Sequence, residues 1–485
     1  MRCFPLASKS APTARAMPTL HAVPWRRAAL TWCVLAATGC ASLAPTEGSL
    51  PEVAVPAAWS AGGCGTAQGA AATSLAQWWR RFDDAVLTTL VEQALRANTS
   101  VRTAQSALRQ ARAQVDVQSA GLLPSVGASA SAQRSRASNS TGNTFQAGFD
   151  ASWEPDVFGR VRSGVDASEA DARAAEASLA DVQVSLAAEV AVNYIELRGL
   201  QQRLAIARSN LASQQETLQI TQWRLQAGLT TSLVTEQARA AAEQTAAQIP
   251  SLEASLAQSR YSLAVLTGQV PGALDATLAA NAAVPQPTAE LALAIPAETL
   301  RQRPDVRAAE QRIAAALARV SQADAARYPS FSLGGSLGLR ALTLGALSGG
   351  SAVTSALLGS VSIPLLDGGA ARAQVRVQSA ALEQARVAYE TTVLTALQDV
   401  ENALVSLRGD REKLERLTAA ADAARNAALL AQQRYSSGLI DFQAVLETQR
   451  TLLSTQESVA TTTAAVAADH VRLYKALGGG WRPVP

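Results

Sequence analysis

The sequence predicts a mainly α-helical protein that also carries transmembrane β-strands, and three patterns in its 485 residues support this fold class. Four short segments alternate apolar residues with small or polar ones, as membrane strands do. Two long segments repeat apolar residues at a seven-residue spacing, which is typical of coiled-coil helices. Both patterns occur twice in the same order, so the chain contains an internal two-fold sequence repeat.

A short apolar leader opens the chain and ends at a cysteine. Two adjacent arginines precede about ten apolar residues, a run too short to span a bilayer but suited to a signal peptide. Small residues then lead into Cys40 in a pattern that resembles a bacterial lipobox, and Ala41 and Ser42 are typical of lipoproteins sorted to the outer membrane. We expect a lipoprotein signal peptide over residues 1–39, with a diacylglycerol and an N-acyl chain on Cys40. Ordinary signal cleavage near this cysteine is the alternative.

The leader changes how the charge of the chain is interpreted. The whole sequence has a formal charge of +3, but residues 1–39 contain five basic residues and no acidic one, so the remaining chain carries −2. This balance does not indicate a surface for nucleic acid. Residues 40–74 are expected to form an acylated N-terminal linker rich in Ala, Gly and Pro. Acylation of Cys40 would leave Cys64 in this linker without an intrachain disulfide partner.

Four strands are predicted from alternation with a period of two. In each, one face carries apolar residues such as Phe145 and Leu337, and the other carries small or polar residues. Each segment is about ten residues long, as a tilted membrane strand requires. Half-buried hairpins of a soluble domain are the alternative on pattern alone. The predicted bounds are about 126–134, 145–153, 331–340 and 355–365.

Two very long helices are predicted over about 160–226 and 370–436. At a rise of about 1.5 Å per residue, each would extend roughly 100 Å. Gly228 and Gly438 follow these helices as natural stops, after which the chain is expected to turn back. The apolar residues at the seven-residue spacing are Val190, Leu197, Leu204, Leu211, Leu218 and Leu225 in the first helix and Val400, Leu407, Leu414, Ala421, Ala428 and Tyr435 in the second.

The repeat also sets the predicted domain bounds. The first repeat covers residues 75–280 and the second covers 301–481. A connector rich in Pro and Ala, residues 281–300, separates them, and residues 482–485 form a tail.

Four strands are too few to close a membrane barrel within one chain. Open strand edges are not tolerated in hydrocarbon, so the strands of several copies must pair. Three copies would supply 12 strands, a number that leaves a lumen lined by the polar faces. The sequence therefore predicts that several copies of the chain share their strands in one membrane barrel.

An ordered set of motifs resembles the outer-membrane factors of tripartite efflux systems, the TolC/OprM-like family, in its NodT-like lipoprotein branch. The resemblance covers nearly the whole chain after residue 75. It implies a homotrimer whose 12-stranded β-barrel, four strands per protomer, contacts outer-membrane lipid and continues as a long α-helical coiled-coil tunnel through the periplasm. The motifs are WWRRFDDAVLTTLVEQAL (78–95), WEPDVFGRVRSGVDAS (153–168), RQRPDVRAAEQRI (301–313), SIPLLDGGAARAQV (362–375) and LYKALGGGW (473–481).

The resemblance further implies a passive exit duct for drugs or other small molecules. Energy would come from an inner-membrane pump of the resistance-nodulation-division (RND) type, joined through a periplasmic adaptor, also called a membrane fusion protein. In the family, glycine-centred turns dock onto the adaptor, and the corresponding residues here are Gly228, Leu229, Gly438 and Leu439. An outer-membrane duct for type I secretion is the nearest alternative, and the lipobox and the GGGW ending favour RND efflux.

The family also has a closed periplasmic gate built from carboxylates and arginines. The corresponding residues here are Glu447 and Arg450, with Gln443 one turn earlier, and Glu236 and Arg239 match in the first repeat with a slip of one residue. Three symmetry-related copies of Glu447 near an axis would repel unless they were paired, screened or protonated. The alternative is an exposed Glu447–Arg450 pair, which would contribute about 0.2–0.5 kcal/mol to helix stability.

Parts of the sequence also fit two other classes of protein. Residues 334–338 match the G-x-S-x-G pattern of hydrolases, but His470 is the one histidine after the leader and Ser336 is predicted in the middle of a strand. A structural coiled-coil lipoprotein that spaces the envelope would share the helices and the anchor but would not explain the four strands. The sequence has no nucleotide-binding motif and no His/Cys cluster, so we expect neither an enzyme nor a bound cofactor or metal.

Overall fold

The structure is a computed structural model of the chain. Cys40 and Cys64, and with them the predicted acylation site and most of the linker, lie outside the described residues. The same holds for most of the predicted connector and for the tail. The described residues are 51, 54–56, 59, 75–137, 140–287 and 300–480.

The described helices repeat in length between the two halves of the chain. The first half contains α1 (Ala85–Ala97), α2 (Thr99–Ala120), α3 (Arg160–Gln226) and α4 (Ser232–Leu266). The second half contains α5 (Pro304–Ala325), α6 (Ala370–Ser436) and α7 (Phe442–Ala476). Helices α2 and α5 each have 22 residues, α3 and α6 each have 67, and α4 and α7 each have 35. The internal repeat of the sequence is therefore also a repeat of structure.

Side-chain caps explain where several of these helices begin. The Asp84 carboxylate accepts a hydrogen bond from the Leu87 N–H at 2.9 Å, and Asp441 accepts one from the Ala444 N–H at 3.1 Å. Each bond satisfies a backbone donor that has no partner within its own helix. Among the described helices, none combines the length and the hydropathy that crossing a bilayer requires.

The four strands form one antiparallel sheet in the order β1-β2-β3-β4. Pairing of β2 with β3 joins the two repeats within the sheet, and it leaves β1 and β4 at the edges. The strands are β1 (Ser125–Ala137), β2 (Ser140–Trp153), β3 (Ser330–Ala341) and β4 (Val353–Ser362).

The strand ends differ from the predicted bounds at two places. Pairing of β1 with β2 continues to Ala137 and Ser140, beyond the apolar residues that the alternation depends on. At the other end, β4 stops at Ser362, short of the predicted residue 365. Pro364 explains this stop because proline has no N–H to donate to a neighbouring strand.

The largest apolar cluster lies where α1 packs against α3 and the end of α7. Trp78 stacks on Tyr474 with ring centroids 5.4 Å apart. The Tyr194 hydroxyl donates a hydrogen bond of 2.8 Å to Asp84, and burial raises the pKa of Tyr194 to about 12, so this donor keeps its proton at neutral pH. Helix α3 also packs against α4, α5 and α7, and α6 packs against α5 and α7, so helices of both repeats share one packed unit.

Candidate docking turns and gate

The turns after α3 and α6 have the same backbone geometry. Gly228 has φ 72° and Gly438 has φ 73°, in the left-handed region that favours glycine. The Gly228 N–H donates to the Leu225 carbonyl at 2.9 Å, and the Leu229 N–H donates to the Arg224 carbonyl at 2.8 Å. This pair of bonds is a Schellman motif, which ends a helix.

The second turn repeats these bonds at equivalent positions. The Gly438 N–H donates to the Tyr435 carbonyl and the Leu439 N–H to the Arg434 carbonyl, both at 2.9 Å. Leu229 and Leu439 follow the two glycines and are 70% and 74% exposed. Each turn therefore holds a leucine side chain in solvent on a backbone that the Schellman motif fixes.

An apolar cluster and one arginine connect the two turns. The Arg224 guanidinium donates a hydrogen bond of 2.9 Å to the Tyr435 carbonyl and lies 4.6 Å from the centroid of the Tyr435 ring. The sequence patterns alone do not indicate a role for this arginine. The buried residues of the cluster are Ala238 and Ala241 of α4, Ala431 and Tyr435 of α6, and Phe442, Val445 and Leu446 of α7.

Helices α3 and α7 meet along a seam that becomes polar towards the turns. Gln449 donates its amide N–H to the Thr217 hydroxyl at 3.0 Å, and Asn210 donates to the Gln456 amide oxygen at 2.9 Å. Thr217 and Gln449 each lie eleven residues from the glycine of the nearer turn. Because the two helices are antiparallel neighbours, this register places the two turns at the same level.

In the second half of α3, the residues buried at the seam are not the leucines that the seven-residue spacing predicts. From Val190 to Leu204 the residues at the seven-residue spacing are buried as predicted, whereas Leu218 is half-buried and Leu225 is 37% exposed. A straight helix rotates by about 20° per heptad relative to a strict 3.5-residue period, so the later leucines turn away from the seam. The residues buried in their place are Asn210, Gln214, Thr217 and Thr221.

The predicted gate residues lie next to the turns. Gln443, Glu447 and Arg450 share one exposed face of α7, and Glu236 and Arg239 are exposed on the first turns of α4. The apolar cluster holds these two helix ends at the same end of the packed unit. Among the described ion pairs, none joins Glu447 to Arg450 or Glu236 to Arg239.

Ser336 of the G-x-S-x-G pattern and His470, the histidine available as its base, lie on different elements of the structure. Ser336 lies in the middle of β3 and is exposed. His470 lies on α7, where its Nδ1 is 3.1 Å from the Val466 carbonyl oxygen and its Nε2 is 3.0 Å from an Arg411 nitrogen. Within the described part of the chain, no group of three His, Cys, Asp or Glu side chains is placed to hold a metal ion.

Sequence comparison identifies the family. The family model for outer membrane efflux proteins matches residues 90–269 and 295–479. Nodulation protein T of Rhizobium leguminosarum bv. viciae is 31% identical over 433 residues, which cover 89% of each chain. Outer membrane protein OprJ of Pseudomonas aeruginosa is 32% identical over 461 residues, covering 91% of this chain and 94% of the relative.

Solved structures show the same fold. The outer-membrane channel OprN matches with a TM-score of 0.81 and 35% identity, covering 90% of this chain and all of that one. The open state of the MtrE outer membrane channel of Neisseria gonorrhoeae matches with a TM-score of 0.79 and 27% identity, over 90% and 98% of the two chains.

The described architecture is thus that of outer-membrane channels. The chain belongs to the outer membrane efflux protein family, in the branch that contains nodulation protein T. It serves efflux as a channel of the outer membrane. The family, the function in efflux and the location that the motifs predicted are confirmed.

Proposed function

We propose that the protein is the exit duct of a tripartite RND-type efflux pump, which passively conducts drugs or other small molecules from a periplasmic adaptor to the exterior. The observation that carries the proposal is the pair of Schellman turns with exposed Leu229 and Leu439. Relatives include the toluene efflux pump outer membrane protein TtgF and the antibiotic efflux pump outer membrane protein ArpC, both of Pseudomonas putida.

The working unit in this proposal is a homotrimer. One chain contributes a sheet of four strands with β1 and β4 at its edges. Strand edges inside hydrocarbon must be paired, and pairing β1 of one protomer with β4 of the next closes a 12-stranded barrel after three protomers. The long helices would then continue the barrel as a tunnel.

The docking turns provide the test. Leu229→Asp combined with Leu439→Asp places a carboxylate on each apolar contact surface, so the adaptor should no longer bind. In a strain that lacks its own outer-membrane channel but expresses the cognate adaptor and pump, we expect the wild-type gene to restore drug resistance and the double variant to fail. The measurements are minimal inhibitory concentrations and adaptor pull-down.

Matched controls separate docking from folding. The double variant should still run as a heat-modifiable trimer and conduct ions in planar bilayers. Leu229→Met combined with Leu439→Met keeps the apolar volume and should restore resistance. Full resistance with both aspartates in place, or restored polypeptide secretion without drug resistance, would contradict the proposal.

We also propose that Cys40 carries the diacylglycerol and N-acyl chains. More than one acyl chain gives stable anchoring, since each buried methylene contributes about 0.8 kcal/mol. Labelled palmitate should enter the wild-type protein and not Cys40→Ala. Equal labelling of both would show that this cysteine is not the attachment site.

A further inference from the structure

β1 carries two arginines on a face that is otherwise apolar. From Val126 to Ala132, every second residue lies opposite an apolar residue of β2, ending with the pair of Ala132 and Phe145. Side chains alternate between the two faces along a strand, so Arg134 and Arg136 continue this face. Both are exposed, at the end of the sheet remote from the long helices.

The height of these arginines along the barrel can be compared with the thickness of the hydrocarbon layer. In the proposed barrel we assign Trp153, the last residue of β2, to the aromatic girdle at the inner border of the apolar band. Arg134 lies opposite Asn143, ten residues before Trp153 on β2. At a rise of about 3.3 Å per residue and a tilt of about 40°, that stretch covers roughly 25 Å along the membrane normal, the height of the apolar band of a barrel. In the barrel proposed above, Arg134 and Arg136 therefore lie at the outer border between hydrocarbon and headgroups.

The sheet offers these arginines no carboxylate. Segments 117–149 and 328–366 contain neither Asp nor Glu. Asp150 of β2 lies on the opposite face, where it accepts a hydrogen bond of 3.0 Å from the Ser129 hydroxyl. In the trimer, β1 would pair with β4 of a neighbour, and that strand belongs to the second acid-free segment. Any anion that binds the two guanidinium groups therefore comes from outside the sheet.

We propose that Arg134 and Arg136 bind the phosphate groups of a phosphorylated outer-leaflet glycolipid, of the chemical class of lipid A. A guanidinium group presents planar paired donors that match the oxygens of a phosphate. Residues two apart on a strand lie on one face about 6.6 Å from each other, so both side chains reach the same layer of headgroups. This site rests on the barrel given under the proposed function, with the polar strand faces towards the lumen and the long helices in the periplasm.

Binding of lipid A to the full-length protein tests the site. Delipidated trimer in detergent would be titrated with lipid A and its lipid occupancy followed by native mass spectrometry. Arg134→Gln combined with Arg136→Gln should weaken binding by about tenfold or more. Arg340→Gln is the matched control because Arg340 pairs with Gln146 on the opposite face, and this variant should bind as the wild type does.

Two other lipids and one further variant determine the outcome. Dephosphorylated lipid A lacks the phosphate groups and should bind weakly to the wild type and to every variant. Phosphatidylglycerol tests whether the phosphate of an ordinary phospholipid binds as tightly as lipid A does. The site is overturned if the glutamine double variant binds lipid A like the wild type. It is also overturned if phosphatidylglycerol binds the wild type as tightly as lipid A does. Replacing both arginines by lysine keeps the charge, so the affinity of this variant for lipid A should lie between those of the wild type and the glutamine double variant. The lysine variant provides the test if the glutamine variant does not fold.

The same preparations distinguish this site from the proposed function. The glutamine double variant should remain a heat-modifiable trimer with unchanged conductance, because the altered side chains face lipid and not the lumen. A wild-type protein that neither trimerises nor conducts would instead contradict the duct itself.

Discussion

At the scale of single residues, Arg224 is expected to hold together the two turns that follow α3 and α6. Arg224→Ala removes a hydrogen bond from a charged donor, of about 1.5–3 kcal/mol, and a cation–π contact of about 0.5–1 kcal/mol. The helix ends of the two repeats would then separate more readily. We expect a lower thermal midpoint and more frequent spontaneous current through the channel in planar bilayers.

The internal repeat supplies the control for this variant. Arg434 occupies the equivalent position before the second turn and is exposed. Its carbonyl takes part in the Schellman motif, but substitution by alanine leaves the backbone in place. Arg434→Ala should therefore change the midpoint and the current far less than Arg224→Ala, and equal effects would contradict the assigned role of Arg224.

Asp469 should make the stability of the protein depend on pH. Burial raises the pKa of its carboxyl, Arg472 at 2.6 Å lowers it, and Asp410 on α6 raises it. Because the pKa is higher in the folded chain than in the unfolded one, the folded state retains a proton that the unfolded state loses. Stability is therefore greatest below the ordinary carboxyl pKa and falls as pH rises through the raised pKa.

Asp469→Asn removes this titration. Between acidic and neutral pH, the thermal midpoint of the variant should fall less than that of the wild type, as followed by circular dichroism. A variant that loses as much stability as the wild type over this range would rule out Asp469 as the source.

The local sequence was sufficient for the turns but not for their connection. Gly228 and Gly438 could be predicted because only glycine adopts positive φ without strain at such helix ends. The contact between Arg224 and Tyr435 could not, because it joins helices of different repeats. The sequence nevertheless marks both residues. Arg224 lies in RLQAGL and Tyr435 in RYSSGL, the two copies of a motif that occurs once in each repeat.

At the scale of elements, the polar seam of α3 and α7 is expected to fix their register. Gln449 is buried, and its amide donates to Thr217. Thr217→Val leaves this amide unsatisfied and should cost about 1–3 kcal/mol. Adding Gln449→Leu removes the unpaired group, so the double variant should recover most of the lost thermal stability.

The register between α3 and α7 should nevertheless be less well defined in the double variant. Buried polar pairs in coiled coils specify alignment at some cost in stability, whereas leucine packs in several registers. We expect normal thermal stability with reduced drug resistance in the complementation assay, because the turns would no longer be held level. Full resistance in the double variant would show that this pair does not set the register.

Periodicity predicted which segments are helices and which are strands, but not which residues are buried at the α3 seam or where β1 and β2 end. The two periods, two residues for the strands and seven for the long helices, identified which segments are strands and which are helices. They could not show where α3 exchanges leucine for Asn210 and Thr217 at its seam, because that depends on how a straight helix drifts against its neighbour. Nor could they show that β1 and β2 continue through their polar ends.

At the scale of the whole molecule, the predicted gate depends on assembly. On one chain Gln443, Glu447 and Arg450 are an exposed face of α7. In a trimer with a threefold axis near this face, each residue occurs three times, and the arginines can offset the repulsion among the carboxylates. A ring of this kind can also hold cations and set selectivity.

Glu447→Ala combined with Arg450→Ala is expected to increase the current through an otherwise closed trimer. The loss of the charged contacts around the axis should allow the helix ends to separate. The control is Asp422→Ala with Arg425→Ala, which removes an exposed i,i+3 ion pair of 2.8 Å on α6. Exposed pairs contribute about 0–1 kcal/mol, so this control should leave conductance unchanged. Conductance equal to that of the wild type in both double variants would assign Glu447 and Arg450 to the helix surface and place the constriction elsewhere.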